Sequence, residues 1–457
     1  MEKRVERSQK FIVEDGEKKR HIVYLTNEFV TDDKAGGLAT YLDNIVSIMQ
    51  HKGHRVTVIT LSESKRIFYY RKNIKVICIK KTALDPDFQF LIKTKYKSNQ
   101  KQAERFLDLL MMCIFMLNSL RVYAALRKLI LKEKVDIIHA ASCGAIGFFR
   151  TYQVPTVLRA SCDSAYWREA CYSDFDYNRT MDIKTLTDKI ELFCMKHADA
   201  VFAPSRCCAN ILTKRVGKKL SVIESPYRQH DIQMDDNVYR ERLQGKKYLL
   251  FNSTLSMLKG THLGIRAAQK LLNKYPNLYM VYAGIDNGLG FGKKAADVLK
   301  EQNRKYQGRV IYLGKLSQEQ LFPVIQHALA CVLPSRIDNL PNSCIEAMAF
   351  EKIVIGTYGA SFEQLIRNKE NGLLIQRDSV NALIKAVDYL MQLNDEERRT
   401  MGIKAKKTIT RLKPDLIYGQ LMEYYEKAIK NFANQNHLKR IVLHPLHVGR
   451  KNKWSEI

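Results

Sequence analysis

The stretch that decides the fold is Ala328-Leu329-Ala330-Cys331-Val332-Leu333-Pro334-Ser335-Arg336-Ile337-Asp338-Asn339-Leu340-Pro341-Asn342-Ser343-Cys344-Ile345-Glu346-Ala347-Met348-Ala349-Phe350. Ala328 to Pro334 is a short apolar run ending in a residue without a backbone donor, the pattern of a buried parallel strand that stops there. Ser335 to Ser343 reads as a polar loop, and Cys344 to Phe350 resumes with good helix formers. Free amides at that helix start, near Asn342 and Ser343, favour an anion such as phosphate. Asp338 falls on the loop and Glu346 about one turn inside the helix, so both carboxylates can face one pocket. Glu346 could then accept two ribose hydroxyls, and Asp338 could hold a sugar hydroxyl or an electron-poor anomeric centre. On spacing alone, the two acids equally suit a plain strand-to-helix junction in which they only complement the helix macrodipole.

Outward from this segment the chain alternates strand and helix patterns. His21 to Thr26 and Val56 to Leu61 are apolar or β-branched runs flanking a segment with helical spacing at Leu38, Tyr41, Leu42, Ile45, Ile48 and Met49. That is a βαβ unit, continued by strands at Asp136 to His139, Pro155 to Leu158 and Ala200 to Ser205. A second series follows at Tyr248 to Phe251, Tyr279 to Ala283, Val310 to Leu313, Ala330 to Leu333 and Ile353 to Gly356. The polar, aperiodic residues 226–246 read as a linker. The expected organisation is a basic extension over 1–20, one domain over 21–225, the linker, a second domain over 247–415, and a helix crossing back with a basic tail over 416–457. Two α/β domains, each doubly wound, suit a length of 457 residues, and such domains bind ligand at the carboxyl ends of their strands.

A formal charge of +28 is far more than a well-mixed surface needs and implies an anionic partner: a membrane surface, a charged glycan or nucleic acid. Residues 65–105 concentrate it, with Lys65, Arg66, Arg71, Lys72, Lys75, Lys80, Lys81, Lys93, Lys95, Lys97, Lys101 and Arg105 among Phe68, Tyr69, Tyr70, Phe88, Phe90 and Tyr96. The tail adds Lys439, Arg440, Arg450, Lys451 and Lys453. Both stretches can equally be solvated surface. Phe106 to Leu117 is densely apolar, broken only by Asp108, and helical spacing extends to Leu131, but twelve apolar residues do not cross a bilayer core of about 30 Å. It reads either as a core helix or as an interfacial helix beside the basic stretch. The ten scattered cysteines lack metal-ligand spacing and read as reduced thiols. With Met1-Glu2-Lys3-Arg4 leading into charge rather than a signal peptide, the expected place is the cytoplasm, peripheral on the inner face of the membrane.

The acid-bearing segment resembles the Glu-x7-Glu signature of retaining GT-B glycosyltransferases of family 4, in the form (Glu/Asp)-Asn-Leu-Pro-Asn-x-x-x-Glu-Ala. Asp338 takes the first acidic position and Glu346 the second. Ile353 to Thr357 with Gly359-Ala360-Ser361, and Asn371-Gly372-Leu373-Leu374, resemble the following strand and turns. Gly36 to Tyr41 and Gly53 to Val58 extend the likeness to the N-terminal half, so that residues 20–430 fit the family order. The resemblance implies a GT-B fold, two Rossmann-like doubly wound domains facing a central cleft.

It also implies roles. Asp338, Glu346 and Lys259 would be catalytic. Gly36, Gly37, Ser253, Thr254, Lys259, Asn339, Leu340, Asn342, Ser343 and Glu346 would bind the donor, expected to be a UDP-sugar. Thr254 stands where the family places an Arg against the diphosphate, and Ser161 where many relatives place a His, so Arg159, Ser161 and Asp163 become the expected contacts to acceptor or sugar. His139 and His197 read as structural, and His262 as a helix-start cap or a nucleotide contact. No cofactor and no metal are implied, since no Asp-x-Asp triplet is placed to hold a metal against phosphates. The expected reaction is front-face transfer with retention to a glycan or lipid-linked acceptor in surface polysaccharide synthesis. The rivals are a sugar-nucleotide-binding protein without transferase activity, a glycosyltransferase acting on nucleic acid, for which no recognition motif speaks, and an epimerase of the same fold.

Overall fold

The computed structural model describes residues 18–30, 36–83, 100–162, 164–171, 185–228, 233–289 and 294–443. Two compact units emerge. One gathers the chain up to Arg159, Ile190–Phe202 and everything from Tyr418; the other gathers Ala160–Lys189 and Ala203–Ile417. This division differs from a boundary drawn at 226–246, because 160–189 and 203–225 cluster with the second series of strands. Residues 1–17 of the basic extension, and Phe88, Phe90, Lys93, Lys95, Tyr96, Lys97, Asp163, Arg450, Lys451 and Lys453, lie outside the described residues.

The first series comprises β1 (His21–Thr26), α1 (Gly37–His51), β2 (Arg55–Ser62), β3 (Arg66–Tyr70), β4 (Ile74–Lys80), α2 (Gln100–Ile130), β5 (Ile137–Ala141), β6 (Thr156–Arg159), α3 (Ser164–Glu169), α4 (Leu186–His197), β7 (Ala200–Ala203), α5 (Arg206–Val216) and β8 (Ser221–Val222). Its eight-stranded sheet runs β3-β4-β2-β1-β5-β6-β7-β8. β1 pairs in parallel with β2 and β5, and all six of its residues are buried. Both faces of such a strand are covered, which is why it reads as one apolar run rather than an alternation. The strand pattern missed β3 and β4: the basic stretch begins with an antiparallel pair, Ile67 opposite Ile77 and Tyr69 opposite Lys75.

α2 is 31 residues long, about 46 Å at 1.5 Å per residue. The helix ends where the helical spacing does, and by length and composition Lys101–Ile130, rather than the twelve apolar residues alone, is sufficient to cross a membrane. Its two halves differ. Val122, Leu126 and Leu129 recur at helical spacing and are buried against the first core, with Val23, Leu25, Ile59 and Ile138, while buried Asn118 bonds Thr82 and buried Ser119 donates to Ile146 O. Toward the other end Phe106, Leu109, Leu117 and Leu120 are exposed.

The second series comprises α6 (Asn237–Arg242), β9 (Lys247–Asn252), α7 (Thr261–Lys274), β10 (Leu278–Ala283), α8 (Ala295–Lys305), β11 (Val310–Tyr312), α9 (Gln318–Gln326), β12 (Ala330–Leu333), α10 (Asn342–Ala349), β13 (Val354–Thr357), β14 (Leu373–Ile375), α11 (Val380–Gln392) and α12 (Asp395–Thr408). Its six strands are all parallel, in the order β11-β10-β9-β12-β13-β14. β14 occupies part of the stretch read as a turn, Asn371 and Gly372 alone preceding it. Ser317 with Gln320 and Asn394 with Glu397 form capping boxes that fix the starts of α9 and α12.

The last helix, α13 (Pro414–Leu443), returns to the first unit. Glu426 accepts from Arg20 Nε at 2.9 Å and from its Nη2 at 2.6 Å. The ring Nδ1 of His54 accepts from the Arg20 amide, so its Nε2 carries the proton and donates to Tyr418 Oη at 2.7 Å. His139 Nδ1 lies 2.6 Å from Tyr425 Oη, and burial, helped by the Arg159 charge, depresses the His139 ring to about 3. His139 is thus a neutral core histidine. His197, at the exposed end of α4, bonds back to Phe193 O and stacks on the Phe193 ring.

Candidate active site

The acid-bearing segment folds as β12, a loop and α10, the helix starting at Asn342, two residues before the position read from composition. Pro341 has no amide to satisfy, and its carbonyl accepts from Cys344 and Ile345. Asn342 and Ser343, the first two residues of the helix, have by position no intrahelical acceptor for their amides.

Asp338 is buried on the loop with both oxygens engaged. Its Oδ2 receives Lys259 Nζ at 2.6 Å and Ser335 Oγ at 3.3 Å, and its Oδ1 receives the Asn339 amide at 3.0 Å. Lys259 is set by the turn after β9. Gly260 adopts φ +71, and a Cβ there would lie 2.0 Å from Pro334 O, so only glycine lets this turn press onto the end of β12. Ser253 and Thr254 lie on the same turn, against Gly284, where a Cβ would meet Ser253 O at 2.0 Å. Leu255 bonds through both amide and carbonyl to the 285–287 loop, making the two turns one floor.

Glu346 lies one turn inside α10. Among the described residues its carboxylate has no hydrogen-bond or ion-pair partner, and burial raises it from 4.5 to about 7. An acid held in this way close to neutrality, without a protein partner, is poised for hydroxyls brought by a ligand. Tyr227 beside it is pushed up by burial and by the Glu346 charge.

Sequence reasoning missed the residues that hold this loop. Asn339 donates through Nδ2 to Ser161 O in a short contact, and Ser205 Oγ donates to Asn339 Oδ1 at 3.1 Å. Ser361, at φ +70, donates to Asp338 O at 2.8 Å or to Ser205 Oγ at 3.1 Å. Buried Arg336 bonds Asp378 at 2.8 Å and Ala170 O at 3.2 Å, while Ile337 packs with Tyr166, Ala170 and Ile211. The Asp338 loop is therefore built jointly with residues 160–170 and with the start of α5. Only the small-residue turn at Gly359 to Ser361 was a signal for it. His262 is no simple cap: its Nε2 faces Asp378 at 3.6 Å and its buried Nδ1 has no hydrogen-bond partner. Leu340 is buried.

In the first unit, Gly36 is the N-cap of α1 and Gly37 its first residue. This helix start already carries an anion, because Glu28 Oε1 accepts from the Ala39 amide at 3.2 Å and would lie 3.4 Å from a Cβ at Gly36. Arg159 is buried with its guanidinium 3.8 Å over the Tyr41 ring.

Residues 35–227 match the model of Glycosyltransferase Family 4, and residues 235–408 that of Glycosyl transferases group 1. The chain is 25% identical over 214 residues to O-antigen chain mannosyltransferase C of Escherichia coli, covering 45% of this chain and 53% of that one. It is also 25% identical over 182 residues to D-inositol 3-phosphate glycosyltransferase of Corynebacterium urealyticum, covering 39% and 42%. These matches span only about half of either relative. Among solved structures, sucrose-phosphate synthase of Thermosynechococcus elongatus superposes with TM-score 0.66 at 16% identity over 90% of this chain and 99% of that one. Anabaena Alr3699/HepE, solved in complex with UDP and glucose, gives 0.59 at 15% over 89% and 100%. With both family models matched in order along its length, this chain belongs to the group 1, family 4 glycosyltransferases and has their GT-B fold.

Proposed function

We propose that this chain is a retaining glycosyltransferase that moves a sugar from a nucleotide-sugar, a UDP-sugar first among the candidates, to a glycan or lipid-linked acceptor in surface polysaccharide synthesis. The observation that carries the reading is the grouping in the second unit of one cation, Lys259, on Asp338, beside a helix start and the partnerless Glu346. The ribose hydroxyls would satisfy the Glu346 carboxylate, and the diphosphate would take Lys259 and the amides of Asn342 and Ser343. Drawing Lys259 toward the departing diphosphate would loosen its hold on Asp338 and free that carboxylate to face positive charge developing at the anomeric carbon. The leaving phosphate would accept the acceptor's proton, so the step calls for no separate base and no metal. A structural neighbour solved with UDP and glucose supports the donor class.

The basic and apolar residues between 65 and 131 support work at the inner face of an anionic membrane, where a lipid-linked acceptor would be met. A thermal-shift panel of UDP, GDP, ADP and CMP with their sugar conjugates tests the reading. At about 100 times its dissociation constant the true nucleotide adds roughly 2.7 kcal/mol of stability. A shift with none of them, or a shift without any transfer or donor hydrolysis, overturns the transferase reading.

A further inference from the structure

We propose that the first unit carries a discrete binding site for one anionic phospholipid, in the groove between the β3–β4 pair and the C-terminal half of α2. The proposal rests on the reading that the chain works at a membrane face, and deepens it from adsorption of a charged surface to occupancy of a built pocket.

The groove has a volume of about 620 Å3, inside the range of roughly 300–1,000 Å3 that takes a whole small ligand. Its floor follows from strand geometry. Ile67 and Ile77 are cross-strand partners, so their side chains share one face, with Ile79 two residues further along β4. Opposite them α2 presents Ala124 and Ala125, too small to close the gap, and Leu129. The floor is apolar and open: Ile67 is 64% exposed.

The rim is cationic, with Lys65, Lys75, Lys80, Arg121, Lys128 and Lys132 around a single acid, Glu133. That acid is already shared between Arg55 at 2.8 Å and Lys75 at 3.3 Å. A hydrated polyanion would use the rim and gain nothing from the isoleucines, and a neutral acyl chain would use the floor and leave the cations unmatched. An amphiphile with a phosphate head and an aliphatic tail matches both. The helix that lines the groove also exposes Phe106, Leu109, Leu117 and Leu120 further toward its N-terminus, an apolar continuation suited to the bilayer from which the lipid would be drawn.

The test uses the full chain and lipid as monomers, dihexanoyl-phosphatidylglycerol against dihexanoyl-phosphatidylcholine below their micellar concentrations, read by calorimetry. The phosphatidylglycerol is expected to bind one to one and at least about tenfold more tightly than the phosphatidylcholine, whose choline cation cancels the headgroup charge and repels the rim, since each basic residue facing a net anionic lipid is worth roughly fivefold. Ala125→Phe fills the groove without changing charge and is expected to abolish that binding. Lys128→Glu with Lys132→Glu is expected to weaken it at least about tenfold. Thermal unfolding checks that both variants fold, and Ile77→Trp serves as a second filling variant should Ala125→Phe misfold. Equal binding of the two lipids, or unchanged binding by a folded filling variant, overturns the site. Unchanged binding by a folded filling variant together with a loss in the lysine variant would mean charge adsorption without a pocket. The nucleotide thermal-shift panel needs no lipid, so failure of the groove is distinguishable from failure of the transferase reading.

Discussion

Replacing Glu346 by Gln tests the electrostatics of the donor pocket through pH. Burial raises the Glu346 carboxyl from 4.5 to about 7, so between those values the folded chain holds a proton that the unfolded chain has released. The penalty for burying the carboxylate is absent below pH 4.5, grows as pH rises, and is complete above about pH 7. At 1.36 kcal/mol for each pKa unit, the gap between 4.5 and about 7 corresponds to about 3 kcal/mol as a ceiling. For a unit of this size about 3 kcal/mol corresponds to roughly 6–12 °C in Tm. The neutral amide of Glu346→Gln carries no such penalty. Melting curves of both proteins between pH 4.5 and 8.5 should therefore diverge, the variant gaining about that much on the wild type as pH rises, while the other titrating groups cancel in the difference. Saturating UDP should shrink the divergence by giving the wild-type carboxylate its hydroxyl partners. Parallel curves without nucleotide would refute the claim that Glu346 is desolvated and partnerless.

Lys259→Ala and Glu346→Ala are each expected to lower transfer at least about tenfold, about 1.4 kcal/mol in barrier, measured as kcat/KM with the donor named by the thermal-shift panel. Asn339→Ala removes the link between Ser161 O and Ser205 Oγ and should destabilise the second unit by about 1–3 kcal/mol, raising the KM for donor in steady-state assays more than it lowers kcat. Gly260→Ala should cost about 3 kcal/mol or prevent folding, since the new Cβ meets Pro334 O at a left-handed position; urea unfolding reads this. Tyr425→Phe leaves the buried His139 ring without its hydroxyl partner and should cost about 1–3 kcal/mol in the same measurement with catalysis of soluble acceptors unchanged.

How much the sequence revealed follows from how local each feature is. The strands covered on both faces, such as β1 and β12, were legible because they are short continuous apolar runs, of strand rather than helix length. Asp338 and Glu346 were legible because one loop and one turn of helix carry both. The β3–β4 pair was hidden because one of its faces is exposed: Ile67 and Tyr69 alternate with cations and aromatics, a pattern shared with a merely sticky surface. The supports of the Asp338 loop were hidden for another reason. Ser161, Ala170 and Ser205 reach it from more than 130 positions upstream, and no local period encodes such a meeting. The C-terminal end of α2 was legible, since helical spacing extends to Leu131, but its capacity to cross a membrane was not, because only the uninterrupted apolar run Phe106 to Leu117 was weighed against the bilayer.

The return of α13 to the first unit has a consequence for biosynthesis. The backbone passes from one unit to the other at 159/160, 189/190, 202/203 and 417/418, so neither is a contiguous gene segment. A chain emerging from the ribosome makes β1 and β5 early, yet His54, His139 and Arg20 wait for Tyr418, Tyr425 and Glu426, nearly three hundred residues or more later. The second unit can close first, although it starts later. Cutting or fusing this protein near residue 415 would therefore strand the first unit with unpaired buried rings, whereas a tag placed beyond α13 would leave both intact.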